Sequence, residues 1–479
     1  MTPAIIIITI LAYFATILAI SWFTGRKADN AGFFSGNRRQ SWHVVAFAMI
    51  GSAMSGVTFV SVPGMVAASG FGYMQMTLGF IAGQLVIAFV LVPLFYKMNL
   101  VSIYGYLENR FGISSYRTGA WFFFISKMLG ASVRLYLVCI ALQLMVFTPL
   151  GVPFNVNVLV TVLVLLAYTY RGGVKAVIWI DFLKTFCMLV SIILCTIFIS
   201  KALGFTFGSM CHAVADSGMS RIFYFDDPDH PQYFFKQFFG GMFTLIAMTG
   251  LDQAMMQKNL ACKDLKSAQK NMYTTSVIIV VANLFFLLLG ALLCVYTQKL
   301  GGLEALGVSK TDEIFPAIAS RHFGVGLGIF FLIGLISASY PSAGAALTSL
   351  TTSVCVDFLG KNDDKIRRKV QALLTLLFLV MLVALQILSS DAVINLVYKL
   401  ASYTYGPLLG LFFFGILTRR KVRDRATPFV AAAAPLICLA VNLLGKRFLG
   451  FDLGFSLLVV NGLLTFAGLW IFSKKEESL

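Results

Sequence analysis

The sequence predicts an all-α, polytopic membrane protein with about thirteen transmembrane helices. Three observations lead there. Of the 479 residues, 59% are hydrophobic and only 12% are charged, and the mean hydropathy of +0.87 lies outside the range of soluble domains. Apolar runs of about twenty residues, the length that crosses a bilayer as a helix, recur along the whole chain. The net charge of +17 gathers in alternate loops, as it does where cytoplasmic loops carry Lys and Arg. Nucleic-acid binding is not needed to explain that charge, and no nucleic-acid partner is expected.

The apolar runs fall at about 3–24, 42–70, 75–97, 118–147, 155–170, 174–201, 233–253, 267–298, 325–356, 370–389, 391–418, 426–445 and 452–473. The fifth is short, and 391–418 could be broken. The loops after odd-numbered runs up to the eleventh, with the C-terminus, hold 25 of the 37 Lys and Arg, including Arg38, Arg39, Arg367, Arg368, Lys369, Arg419, Arg420 and Lys421. The positive-inside rule then places the N-terminus outside and the C-terminus in the cytoplasm of a plasma (inner) membrane. Loop 202–232, with Asp226, Asp227 and Asp229, faces out. So does 299–324, with a short helix expected around Asp312–His322. The first run lacks a basic leader and a small-residue cleavage site, so it reads as a retained span. The eight cysteines are scattered and read as free, small hydrophobes. His43, His212, His230 and His322 are dispersed, and no nucleophile–base arrangement is present; the chain does not read as an enzyme.

Two spans are unusual. In 325–356, Leu and Phe give way from Ser337 to small and hydroxylated residues: Ala338, Ser339, Ser342, Gly344, Thr348, Ser349, Thr351, Thr352 and Ser353. Small residues let another helix approach, and hydroxyls need partners in a dry core. Pro341 removes a backbone donor and frees a carbonyl one turn earlier. In 42–70, the cluster Gly51, Ser52, Ala53, Ser55 and Gly56 is poor helix material at mid-membrane. Unwound backbone there is tolerated only against protein or a cavity, and paired features of this kind mark the binding site of secondary transporters. Close helix crossings without any ion would use the same residues.

Charged residues inside spans are candidates for function. Asp181 is one, with Lys184 one turn on as a structural partner. Lys127 and Arg134 share a face of the fourth span, where a guanidinium could receive a substrate carboxylate or serve a structural pair. Lys399 could line a cavity or snorkel outward. Asp252 and Gln253, at the end of the seventh span, are expected to hold helix ends or an inner gate.

Four stretches carry a family resemblance. MSGVTFVSVPG, with the later FYKMNLVSIYGYLENRFG, resembles the broken first core helix and following loop of the sodium/solute symporter family. YRGGVKAVIWIDFLKT (170–185) and LDQAMMQKNLACKDLKSAQK (251–270) resemble two of its signatures, and the small-residue block before Asp357 resembles its eighth core helix. The resemblance implies a LeuT-like fold of two inverted five-helix repeats. Residues 41–418 would be the ten-helix core, 1–40 a peripheral first helix and loop, and 419–479 two added helices. It also implies sodium-coupled import of a small solute, with ion and substrate sites between two broken helices and the chain's ninth span. Carried over by position, the sodium ligands are Gly51, Met54, Ala338, Pro341 and Ser342, with Asp181 on the ion's exit path. The family's usual hydroxyl is replaced by Pro341, and Ala345 and Ala346 stand where a second sodium site would need serines. One sodium ion is therefore expected.

By the same alignment Thr58 and Met248 stand where sugar carriers have glutamine and tyrosine, and Ala53 where proline carriers have aspartate. The chain resembles the monocarboxylate, vitamin and sialic acid branch more. Ser52, Ser55, Thr58, Lys127 and Arg134 are the substrate-binding candidates. In some sialic acid carriers an arginine at the position of Gly130 holds the substrate, one turn before Arg134. A small organic anion is the expected solute; no obligate protein partner beyond the bilayer is expected. Proton-coupled or uncoupled transport, or a non-transporting sensor, are the alternatives.

Overall fold

The computed structural model describes residues 3–25, 33–34, 38–148, 150–170, 173–308, 311–322, 324–361, 363–388, 393–449 and 456–474. They form α1 (Pro3–Gly25), α2 (Trp42–Ala53), α3 (Gly56–Ser69), α4 (Tyr73–Val86), α5 (Ile113–Leu142), α6 (Phe154–Thr169), α7 (Gly173–Ala202), α8 (Phe234–Leu245), α9 (Gln253–Asn259), α10 (Leu265–Lys299), α11 (Val325–Ser353), α12 (Asp364–Leu388), α13 (Val393–Leu417), α14 (Thr427–Leu449) and α15 (Ser456–Ile471). By length and composition nine helices among the described residues can cross a membrane, or ten if the bent pair α8–α9 counts as one span. The count of thirteen is not reached by that measure. The second, fifth and thirteenth runs yield helices of only 12, 16 and 16 residues, and α3 joins α4 through a tight turn at Gly70–Gly72. The run 391–418 is one helix from Val393. The short outer helix lies at Ile314–Arg321, after a turn at Thr311–Glu313.

Loops sort to two ends. At the basic end, Gln40 N donates to the Ala261 carbonyl (3.0 Å), Arg38 to the Leu100 carbonyl (2.9 Å), Arg110 to the Thr418 carbonyl (2.8 Å) and Arg367 to the Tyr170 carbonyl (3.3 Å). Asp424 accepts from the Ser114 and Ser115 amides at the start of α5 (2.8 Å each). These bonds hold its carboxyl below the usual carboxylate range despite partial burial. At the other end, Gln75 bonds the Gln232 carbonyl and the Tyr224 amide. The loops that share an excess of Lys and Arg therefore share a face of the bundle.

Two helices break in mid-bundle. α2 stops at Met54, in extended conformation, and α3 restarts from Ser55. The Ser55 amide, which an unbroken helix would give to the Gly51 carbonyl, donates to Thr58 Oγ1 instead (3.2 Å). The Thr58 amide returns a bond to Ser55 Oγ (3.4 Å), a reciprocal capping box. The second break separates α8 from α9 by a 72° bend, after a π turn at Ile246–Gly250. Asp252 caps α9 by accepting from the Met255 amide (3.1 Å).

α11 is continuous through Pro341, and small residues on it and on α2 and α3 allow close approach between helices. A Cβ on Gly344 would stand 2.0 Å from Tyr168 Oη, one on Gly56 1.8 Å from Ser339 Oγ, and one on Gly51 2.2 Å from Thr185 Oγ1. Gly344→Ala should therefore lower the thermal unfolding midpoint in detergent by several degrees, since overpacking costs roughly 1–3 kcal/mol. Gly208→Ala, where an added Cβ meets nothing within 4 Å, should not; equal midpoints for the two variants would refute the packing account.

Candidate functional site

The two breaks face each other across a cavity of about 380 Å³. Every substrate candidate from the sequence lines it: Ser52, Ser55, Thr58, Lys127 and Arg134. Gly130 lines it too, with open space where a side chain would be. Asp252, Gln237, Asn283 and Tyr405 complete its polar wall, and Met54, Met65, Met76, Phe80 and Met248 its apolar wall. A second cavity of about 440 Å³ lies across α3, between Ser55, Ser339, Ser342 and the short outer helix. Arg134 lines both.

At the basic end the cavity is closed by buried ion pairs. Lys127 Nζ meets both oxygens of Asp252 (2.8 and 3.1 Å), and Tyr405 Oη donates to the same carboxylate (2.5 Å). Lys127 is thus half of a pair, and Asp252 joins α5, α9 and α13. Gln253 holds the neighbouring loop, accepting from the Ile103 amide (3.0 Å) and donating to the Val101 carbonyl (2.8 Å).

Asp181 does not pair with Lys184. Its Oδ2 accepts from Lys258 Nζ of α9 (2.5 Å) and from Ser52 Oγ of α2 (3.0 Å), and Lys258 also donates to Ser52 (2.6 Å). Asp181 is fully buried and Lys258 only 3% exposed. The reason is direction: Lys184, one turn on, projects towards α11, where its Nζ donates to Ser342 Oγ (2.8 Å). Ser52 therefore meets an ion pair as well as the cavity. Lys258 was missed in the sequence because it falls in a cytoplasmic-type loop by hydropathy. Its signal was four polar residues in seven, Asp252, Gln253, Gln257 and Lys258, which make a short helix buried on all sides.

Of the residues expected to hold sodium, two lie at the end of α2 and three on α11. Gly51 has its carbonyl released from the α2 ladder by the Ser55–Thr58 bond, and Met54 sits at the break. Ala338 is fully buried, and Pro341 stays within α11. Ser342 carries the set's only side-chain oxygen, and that oxygen already accepts the Lys184 hydrogen bond. The Lys399 side chain lies outside the described residues, and no cluster of His, Cys, Asp or Glu among the described residues could hold another metal.

Removing one partner of a buried pair strands a charge at a cost of roughly 3–5 kcal/mol. Lys258→Met should accordingly destabilise the protein strongly in thermal unfolding, and adding Asp181→Asn should recover much of the loss. Additive losses in the double variant would show that the two residues do not depend on each other.

Comparison with known proteins fits this geometry. The profile of the Sodium:solute symporter family matches residues 33–426. The chain is 24% identical to the Sodium/sialic acid symporter NanT of Aliivibrio fischeri, over 96% of this chain and 92% of that one. It is 27% identical to the Sodium-coupled monocarboxylate transporter 2 of Bos taurus, over 82% of this chain but 64% of that one, so it spans about two thirds of the bovine protein. A solved structure of the substrate-bound, outward-open state of a Na+-coupled sialic acid symporter superposes with a TM-score of 0.81 at 18% identity, over 98% of this chain and 99% of that one. The nucleobase-cation symporter Mhp1 in a closed conformation gives 0.57 at 15% identity, over 92% and 94%. The fold is therefore LeuT-like, and with more than half its length matched by the family profile, the chain is a multi-pass membrane transporter that belongs to the sodium:solute symporter family.

Proposed function

We propose that the chain is a secondary active symporter that imports a small organic anion by alternating access, with the cavity between the two broken helices as the substrate site. The observation that carries this reading is the charge balance of the cavity wall. Lys127 is neutralised by Asp252 and Lys258 by Asp181. Arg134 is in no ion pair among the described residues and lines both cavities, the second of which also holds Glu313, while the cavity between the breaks has no carboxylate besides the paired Asp252. A guanidinium not held by an ion pair favours a carboxylate, which it can take bidentately. Ser55 and Thr58 expose hydroxyls to the same space, and the methionines and Phe80 suit an apolar portion of the solute. The sialic acid and monocarboxylate carriers among the named relatives transport anions of this kind.

Sodium as the driving ion is supported by the family and by those relatives. The Lys184–Ser342 bond favours a second reading, in which the same transport is coupled to protons or to no ion. The basic end faces the cytoplasm of the plasma membrane on the positive-inside rule. Breaks pinned by capping boxes and buried pairs are the elements that would rearrange between outward and inward access.

Arg134→Gln should weaken uptake of an anionic solute roughly tenfold to a hundredfold, the worth of a charged hydrogen bond, and leave a neutral analogue little changed. Uptake of labelled acid and its amide by proteoliposomes reads this out. Equal losses for both solutes would make Arg134 structural and remove the anion from the reading.

A further inference from the structure

We infer that the side-chain amine of Lys184 takes the place of a sodium ion beside Ser342. The inference rests on the symporter reading above, because that reading puts a cation between α2 and α11. Four observations carry it. Lys184 is fully buried, so its amine must be satisfied inside the bundle. Its Nζ lies 2.8 Å from Ser342 Oγ, the one side-chain oxygen of the expected ligand set. The adjacent position, where a second hydroxyl would strengthen a sodium site, is Pro341. The nearby carboxylate, Asp181, is already bonded by Lys258 and Ser52.

The charges around Lys184 make the place exclusive. Asp181 of its own helix, Lys258 of α9 and Arg134 of α5 are the charged groups that act on it. These comprise two cations and one anion before Lys184 itself is counted. A sodium ion at the Ser342 oxygen would have to displace the Lys184 amine and would add a positive charge among those cations with no second carboxylate to offset it, and like charges repel strongly where water is excluded. Lys184 itself ties α7 to α11. It sits one turn along α7 from Asp181, which ties that helix to α2 and α9. Sodium dependence of transport, where it is found, then does not run through Ser342.

The test is binding of radiolabelled sodium to the purified protein, together with the sodium dependence of uptake, for the wild type, Ser342→Ala and the double variant Lys184→Ala/Pro341→Ser. Ser342→Ala is expected to leave sodium binding and the half-maximal sodium concentration within twofold of wild type. The double variant, with the ammonium gone and a second hydroxyl present, is expected to gain sodium binding that adding Ser342→Ala removes. A wild type that binds sodium and loses it at least tenfold in Ser342→Ala would overturn the inference, because Lys184 would then yield its place to the ion. Should the double variant not fold, the wild type and Ser342→Ala still decide. The binding measurement needs no substrate, so a failure of the anion-transport reading would appear separately, as absent uptake with the binding results intact.

Discussion

A bilayer core offers no hydrogen-bond partners, so every charge and every broken helix end placed there must be satisfied by protein. That constraint explains the plan of this molecule. The break between α2 and α3 is tolerable because Ser55 and Thr58 cap each other's amides. The break between α8 and α9 is tolerable because Asp252 caps α9 while Lys127 and Tyr405 satisfy its carboxylate. At Asp181 the constraint is met on one side only: Lys258 and Ser52 hold Oδ2, while the buried Oδ1 has no hydrogen-bond partner among the described residues. Each of these ties joins helices far apart in sequence, and together they frame the central cavity.

The same constraint gives the leftover charges their meaning. Two cations in the core have no paired carboxylate among the described residues: Arg134, at the wall of both cavities, and Lys184, on the hydroxyl of Ser342. Like charges about 4 Å apart repel by about 4 kcal/mol at an effective dielectric near 20. Arg134 faces open volume and so has room for an anion to relieve it. Lys184 is walled in and keeps its hydroxyl. One unmatched cation thus points to the solute, the other to a filled ion place.

Much of this was legible in the sequence. Apolar length gave the membrane class, though nine or ten helices among the described residues, not thirteen, are long and apolar enough to cross, and Lys and Arg bias sorted the loops onto two faces that the loop contacts reproduce. The Gly51–Gly56 cluster marked the first break to within two residues, because glycine and serine are poor helix formers in an apolar run. All five substrate candidates line one cavity. What stayed hidden was pairing. Spacing along a helix made Lys184 the natural partner of Asp181, but which way a lysine projects depends on neighbours that only the fold supplies. Lys258 looked like a loop residue because α9 is too short and polar to register as membrane-embedded. The bend that buries it comes from tertiary packing around Asp252, and no periodicity records that.

The central claim is that the cavity moves an organic anion uphill. The most direct measurement is uptake into proteoliposomes of labelled sialic acid, lactate, pantothenate, proline and galactose. Each would be run under an inward sodium gradient, an inward proton gradient and neither. At least one of the three anions is expected to accumulate above equilibrium under an imposed cation gradient, while proline and galactose do not. Accumulation of proline or galactose with the anions ignored would contradict it.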